Sequence, residues 1–472
     1  MLSVWQFYRN QEMRGTGDEA SYFRVADTSV MSKSFWCGAD RPSGLPLVYK
    51  IVDIFQTRDI LSEVKRRPQY EFSSPVLKGL TPHLIGLVQL GFSIIAFSYL
   101  AVVIANGVKI TILKPVALIL ILLYSFTNNF TPFIKIIESE SISSSLFICV
   151  IASWILFLRK SNIVRLIVLL LTSLFFAAFR DANTYFLLIV ACVVFLWLII
   201  CWVRRIHHLH TKLLSIAIVY VVIFLANDYC LSSSKRWLPP FYHNLSERIL
   251  TNNNYIDFFR DRGMPVNDAL MHLGEWVYFD LLNAESKSYY NSPEQSELIR
   301  KWVTAKGKST YVSFLLQHPA YTLKPIRELP FILTADMTYH AFYEETDFKP
   351  FPVIGPLIGY LQYYLREENR AFLKSAPVVL FCVLFFVILS GVILDSAKNV
   401  EPPLFMTFMG MILTALPHFL IAWHSDSQAV VRHSLLVVIQ FQFASLMLTI
   451  FLLDSFLQKY CKQKSILLDK TE

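Results

Sequence analysis

Apolar runs of the length a helix needs to cross a bilayer recur along this chain, and they constrain its fold more than any other feature. A spanning helix takes about 17–25 apolar residues, because the hydrocarbon core is about 30 Å thick and each helical residue rises about 1.5 Å. About nine runs meet or approach that length: His83–Ala105, Ile110–Phe126, Ile142–Leu158, Ile163–Phe179, Thr184–Val203, Leu213–Ala226, Ala376–Asp395, Pro403–Ala422 and Ser434–Leu453. They are continuous, whereas the strands of a membrane barrel alternate over about ten residues. Composition agrees: 54% of the 472 residues are hydrophobic and 17% are charged, against about 25% charged in soluble domains. The expected fold is an all-α polytopic membrane protein.

Basic residues orient these spans. The formal net charge is +8, which in a soluble chain would suggest nucleic acid. Here the clusters flank the spans, where the positive-inside rule puts them, so no nucleic-acid partner is expected. Arg159-Lys160, the stretch from Arg204 to Lys212, Lys398 and the tail lysines Lys459, Lys462 and Lys464 all become cytoplasmic if the first 82 residues are external. The division that follows is an external segment 1–82, a six-span bundle 83–226, an external loop domain 227–375, three further spans 376–454 and a cytoplasmic tail 455–472. The loop is expected to be mixed but mainly helical, with helices near Ser292–Lys306 and Tyr311–Gln317, and its apolar end Phe351–Leu365 is expected on the bilayer interface. MLSVWQFY at the start is too short for the apolar core of a cleavable signal.

Of the seven cysteines, Cys149, Cys192, Cys201 and Cys382 lie in apolar runs and read as small core residues. Cys37 and Cys230 fall in external segments, where a bridge between them is compatible with the compartment. The histidines of the 205–210 stretch lack acidic or thiol neighbours, so a solvated basic flank is the favoured reading over a metal tract.

Ionisable groups at membrane depth are costly, so those at span ends call for an explanation. Four external sites stand out. Asp18 and Glu19 open an expected helix Glu19–Ser32; they suit a general base, or a plain helix start. Glu138 and Glu140 stand before a span, with Ser139 or Ser141 as candidate caps. Arg180-Asp181 lies at an outer span end, where a guanidinium suits a phosphate; the simpler reading is an ion pair of Arg180 with Asp181 or Glu140. Trp423, His424 and Asp426 with Arg432 and His433 form the last external link, and ordinary interfacial anchoring is the alternative there.

Gly17-Asp18-Glu19-Ala20-Ser21-Tyr22-Phe23, then Arg41-Pro42 and Leu45-Pro46-Leu47-Val48-Tyr49, resembles the first external loop of the GT-C glycosyltransferases. Ser139-Glu140-Ser141 is similar to that family's second-loop acidic motif, and Phe179-Arg180 to its arginine at an outer span end. Trp302, Gly307, Tyr311 and Leu315–Pro319 are similar to a stretch of the long loop in bacterial members. Arg432-His433 is similar to an Arg-Tyr element, with His433 where the family more often has Tyr. The family also places a span ahead of its acidic loop, and no apolar run of that length lies between Met1 and Asp18.

The resemblance implies a GT-C-like fold in the cell inner or plasma membrane with its active site on the extracytoplasmic face. It implies inverting transfer of a sugar from a polyprenyl-phosphate donor to an extracytoplasmic acceptor. Asp18 or Glu19 would be the base, Arg180, Arg432 and His433 would bind the donor phosphate, and Glu138 and Glu140 would be the second-loop acids. A divalent metal serves some members and not others; the acidic residues here make no metal set, and no cofactor is expected. Three alternatives remain, a purely structural membrane protein being the residual one. An O-antigen ligase or polymerase also joins many spans to a large external loop, but without an acidic first loop. A flippase or lipid-linked solute transporter would place charges near the midplane and break its helices.

Overall fold

The computed structural model describes residues 4, 7–8, 13–14, 19–38, 41–54, 76–77, 80–127, 130–203, 210–266, 293–333, 401–427 and 430–468. The expected span Ala376–Asp395, the segment Phe351–Leu365, Cys382, Asp18 and most of the histidine-rich stretch lie outside these residues.

Helices dominate. A two-residue strand, β1 (Met13–Arg14), precedes α1 (Glu19–Asp27), a π-helical turn (Ser34–Gly38) and α2 (Gly44–Ile54). Strand β2 (Val76–Leu77) pairs antiparallel with β1, Met13 opposite Leu77. The bundle follows with α3 (Leu80–Ala105), α4 (Leu113–Tyr124), α5 (Ser139–Arg159), α6 (Ile163–Phe179), α7 (Asp181–Val203) and α8 (His210–Ser233). The loop helices are α9 (Leu238–Asn244), α10 (Asn253–Arg260), α11 (Pro293–Trp302), α12 (Lys308–Gln317), α13 (Pro319–Thr322) and α14 (Leu329–Leu333). The chain closes with α15 (Pro402–Ser425), α16 (Val430–His433) and α17 (Leu435–Leu468).

Six of the described helices are long and apolar enough to cross a membrane: α3, α5, α7, α8, α15 and α17. One expected span differs. Helix α4 has 12 residues, or about 18 Å of rise, well short of a hydrocarbon core. Helix α6 has the expected bounds, and its 17 residues are at the lower limit for crossing. Two others run further than their apolar stretch. Helix α8 continues through Asn227-Asp228-Tyr229-Cys230 because each of these is tied: Asn227 to Thr184, Asp228 to Lys308, Tyr229 to Lys33 and Cys230 to Cys37. Helix α17 passes Leu453 to Leu468, with Asp454 accepting from the backbone N–H groups of Lys109 and Ile110.

Helix α5 is the centre. Of its most apolar window 78% is buried, against 22% for α7 and for α8, which face outward. Its sequence explains this. Ser139, Ser141, Ser143, Ser144, Ser145 and Ser153 are all buried, and small residues let neighbouring helices approach closely. Some of their hydroxyls bond back to the helix, as when Ser144 donates to the Glu140 carbonyl at 2.7 Å and Ser145 to the Ser141 carbonyl at 3.0 Å, and Ser143 bonds across to Asn183. Cys149 is half-buried and Cys201 buried, as core residues would be, but Cys192 is exposed on the outward face of α7.

Both ends of the bundle are pinned. At the lower end Arg159 grips Glu401 with two bonds of 2.6 Å, and Lys212 donates to the Ser161 carbonyl. A side chain at Gly107 would run into that Arg159–Glu401 pair. At the upper end lie α1, α2 and the loop helices. Helix α2 buries Leu45, Val48, Tyr49 and Val52, the spacing of a helix with one apolar face. Its start meets the end of α6 so closely that a Cβ on Gly44 would come within 2.7 Å of the Ala178 carbonyl oxygen. The loop helices pack around Phe259, Phe314 and Tyr321. They dock on the end of α15, where the Arg248 guanidinium lies 3.5 Å from the Trp423 ring centre and Tyr311 donates to the His424 carbonyl at 3.3 Å.

Candidate functional site

A cluster of buried ionisable groups lies at the upper end, where the start of α5, the α6–α7 junction, α9 and the α15–α16 link meet. Helix polarity favours most of it. Glu138 is the residue capping the start of α5, Glu140 is in its first turn, and Asp181 opens α7; these are positions where the helix dipole favours carboxylates. Arg180 follows the last residue of α6, where a cation is favoured. Neither Ser139 nor Ser141 caps α5, and the Glu138 side chain makes no capping bond there. It goes to Arg432 instead.

That pair is the deepest contact. Arg432 Nη1 donates to both Glu138 carboxylate oxygens, at 2.8 and 3.1 Å, and the two side chains are only 9% and 3% exposed. Glu140 lies between the two arginines, 3.4 Å from Arg180 and 3.7 Å from Arg432. Asp181 does not pair with Arg180; it accepts from Arg236 at 2.9 Å.

The cluster continues to a carboxylate held by two histidines. His243 Nδ1 donates to Asp426 Oδ1 at 2.8 Å, and His433 Nε2 faces Asp426 Oδ2 at 3.5 Å. The other ring nitrogen of His433, Nδ1, lies 3.1 Å from Arg180 Nη2. A guanidinium only donates, so Nδ1 accepts and the hydrogen of the neutral ring sits on Nε2, toward Asp426. Asp426 follows the end of α15, where the helix dipole disfavours an anion. Burial also pushes its carboxyl up, but the bonds and charges of His243 and His433 outweigh this and hold it well below the usual carboxylate range.

The N-terminal segment reaches the same place. Tyr22 on α1 donates to Ser139 Oγ at 3.1 Å, and Ser139 donates to Glu140 Oε2 at 3.3 Å. Arg41 donates to Ser21 at 2.7 Å and lies against the Tyr22 ring. Glu19 opens α1 one turn before Tyr22. Of the candidates read from the sequence, Glu138, Glu140, Arg180, Arg432 and His433 thus come together, and α1 is tied to them. Trp423 and His424 belong elsewhere: Trp423 donates to Glu328 at 3.0 Å and His424 Nε2 meets the Thr322 carbonyl at 3.0 Å, so both anchor the loop helices. Trp302, Gly307 and Tyr311 likewise pack the loop helices, with Trp302 donating to the Arg262 carbonyl at 3.1 Å.

His243 was not foreseen. It sits in a polar loop, 183 residues from Asp426, and no local spacing links the two.

Lower in the bundle an apolar cavity of about 410 Å³ lies between α5, α7, α8 and α15. Phe186 and Thr414 line its upper part and Leu158 and Phe405 its lower part, with Thr407 and Thr414 the only hydroxyls in its wall among the described residues. Phe186 is six residues beyond Arg180 on α7, or about 9 Å along the helix. Among the described residues, no group of three or more His, Cys, Asp or Glu is placed to hold a metal ion. Set against models of known families, curated proteins and solved structures, the chain finds no match in any of the three.

Proposed function

We propose that this multi-pass helical membrane protein is a glycosyltransferase. It moves a sugar from a polyprenyl-phosphate donor to an extracytoplasmic acceptor, with inversion at the sugar carbon. The observation that carries the reading is the convergence of Arg180, Arg432 and His433 on Glu138 and Glu140, to which Tyr22 ties α1 through Ser139.

The chemistry is a single displacement. The acceptor hydroxyl or amine attacks the sugar carbon and gives its proton to Asp18 or Glu19. The bond from that carbon to the phosphate oxygen breaks, and its electron pair stays on the phosphate. Arg180 and Arg432 neutralise the charge that grows there. Cations fixed in advance in a water-poor site contribute several kcal/mol to such a step, because they need not reorganise as the charge moves. Glu138 and Glu140 hold both guanidiniums in place before the donor arrives.

The cavity supports a lipid donor over a polar solute. Its wall is almost wholly apolar, which suits a prenyl chain and not a free charged cargo; a flippase for a lipid-linked solute would use the same lining. The Cys37–Cys230 bridge supports the sidedness, since disulfides persist in oxidising compartments.

The test is turnover of a panel of radiolabelled undecaprenyl-phosphate sugars by membranes carrying the protein. Transfer is expected for the unmodified protein and its loss in Asp18→Asn and Arg180→Ala, with membrane insertion retained. Full activity in Asp18→Asn would reject Asp18 as the base. Failure of the unmodified protein to turn over any donor in the panel would sink the reading.

A further inference from the structure

We propose that His433 is the acid that gives a proton to the departing lipid phosphate, with Asp426 and His243 as its positioning residues. This inference rests on the sugar-transfer reading above and adds a proton-carrying role to a residue otherwise read as a phosphate ligand.

The geometry carries it. His433 turns Nδ1 toward Arg180, the cation assigned to the phosphate, at 3.1 Å, and turns Nε2 toward Asp426 at 3.5 Å. Asp426 is fixed from its other side by His243 at 2.8 Å. A carboxylate behind an imidazole sets the ring orientation and stabilises the imidazolium form. The resting Nδ1 is occupied by the guanidinium. When a phosphate takes over that guanidinium, Nδ1 is left facing an anion and takes up a proton, and Asp426 balances the new charge on the far side.

Arg180, Asp426 and Glu140 are the charged groups that act on the ring, and the same cluster holds Glu138 at the start of α5, Asp181 at the α6–α7 junction, Arg236 and His243 from the α8–α9 region, and Arg432 next to His433 in the chain. Glu140 lies close enough to interact electrostatically with His433.

The step balances. As the bond from the sugar carbon to the phosphate oxygen breaks, the electron pair stays on oxygen and the phosphate passes from a diester with one negative charge to a monoester. The proton on His433 Nδ1 moves to that phosphate. The acceptor proton goes to the base, and His433 returns to its neutral resting contact with Arg180 after the product leaves, taking a proton from water again when the next donor binds. A phosphate monoester takes up its second proton at about pH 6, so the departing phosphate is a base that can receive one.

The test is the affinity of the purified full-length protein, in lipid nanodiscs, for undecaprenyl phosphate from about pH 6 to 9. If binding takes up a proton on His433, affinity falls up to about tenfold per pH unit above neutrality. In His433→Gln the fall is expected to vanish while measurable binding remains. In Asp426→Asn it is expected to begin at lower pH, because the imidazolium has lost its counter-charge. Each variant is checked for the Cys37–Cys230 bridge by gel mobility without reductant, which reports a folded upper end. A pH dependence that survives unchanged in His433→Gln overturns the role of His433 and leaves the sugar-transfer reading intact. No saturable binding by the unmodified protein at any pH overturns both.

Discussion

A buried charge next to no counter-charge is costly, and Lys135 is such a case among the described residues. It closes a short 3₁₀ turn (Pro132–Lys135) between α4 and α5, is 2% exposed, and its Nζ has no hydrogen-bond acceptor there. Its ammonium lies 3.5 Å from the centre of the Phe7 ring, which offers a cation–π contact only. Burial pulls its pKa from 10.5 to about 8. The sign follows: between those values the unfolded chain binds the proton and the folded one does not, so this group's contribution to stability rises with pH across that window. Below about pH 8 the full penalty is present. Lys135→Met should therefore unfold at a higher temperature than the unmodified protein near neutral pH, with the gap closing as pH approaches about 10. A gap that stays constant over that range would show that the ammonium is not the source. Individual residues were legible in the sequence to different degrees. Glu138, Glu140, Arg180 and Arg432 could be singled out because charge at a span end is rare and costly. Lys135 could not, since a lysine in an external connection reads as solvated until Phe7 is seen lying over it. His243 was hidden because contacts across the fold leave no trace in local spacing.

Elements were easier to find than to bound. Hydropathy located the bundle helices because an apolar run has to bury its backbone polar groups in a helix inside a bilayer. It misjudged their ends wherever tertiary bonds decide them. Helix α8 was expected to stop at Ala226 and runs on to Ser233 because four successive residues beyond Ala226 are tied to other segments. The last of these ties is the bridge from Cys230 to Cys37, which joins residues 193 apart. It holds the π-helical turn, and through it α1 and α2, against the top of α8. A cross-link over so long a stretch removes much unfolded-chain entropy, worth roughly 2–5 kcal/mol. Cys37→Ser or Cys230→Ser should lower the unfolding temperature and make the segment between α1 and α2 sensitive to added protease. Untreated native protein in which both thiols react with a maleimide would show that the bridge does not form. Gly44 marks the second attachment of this segment. It lets α2 start against the end of α6, immediately before Arg180, so the same close approach that packs the helix also brings the N-terminal segment to the charged cluster.

At the scale of the whole molecule, the two polar ends and the apolar middle divide the work. The upper end concentrates Glu138, Glu140, Arg180, Arg432, His433 and Asp426, where a phosphate would be met. The lower end is closed by Arg159 and Glu401. Between them the cavity of about 410 Å³ begins at Phe186, about two turns below Arg180, and reaches Leu158. Sequence hydropathy could not have located this space, because a lining residue such as Val190 or Met409 is as apolar as one packed solid or one facing lipid. Gly410 gives a way to test its purpose. It lines the cavity, and a Cβ added there meets nothing within 4 Å. The Cβ of a phenylalanine at this position enters open space on the cavity side, and replacing a mid-helix glycine also removes a backbone entropy cost of roughly 0.5–1 kcal/mol. Gly410→Phe should therefore insert and unfold like the unmodified protein, or at a slightly higher temperature. If a prenyl chain occupies the cavity, the ring excludes it, and the affinity for undecaprenyl phosphate falls by about tenfold or more, which corresponds to about 1.4 kcal/mol of lost burial. A short-chain phosphate that does not reach the cavity should bind both forms alike. Equal undecaprenyl phosphate affinity in a stable Gly410→Phe protein would mean that the chain lies elsewhere, on the lipid-facing surface of α7 or α8, and that the cavity serves no part in holding the donor.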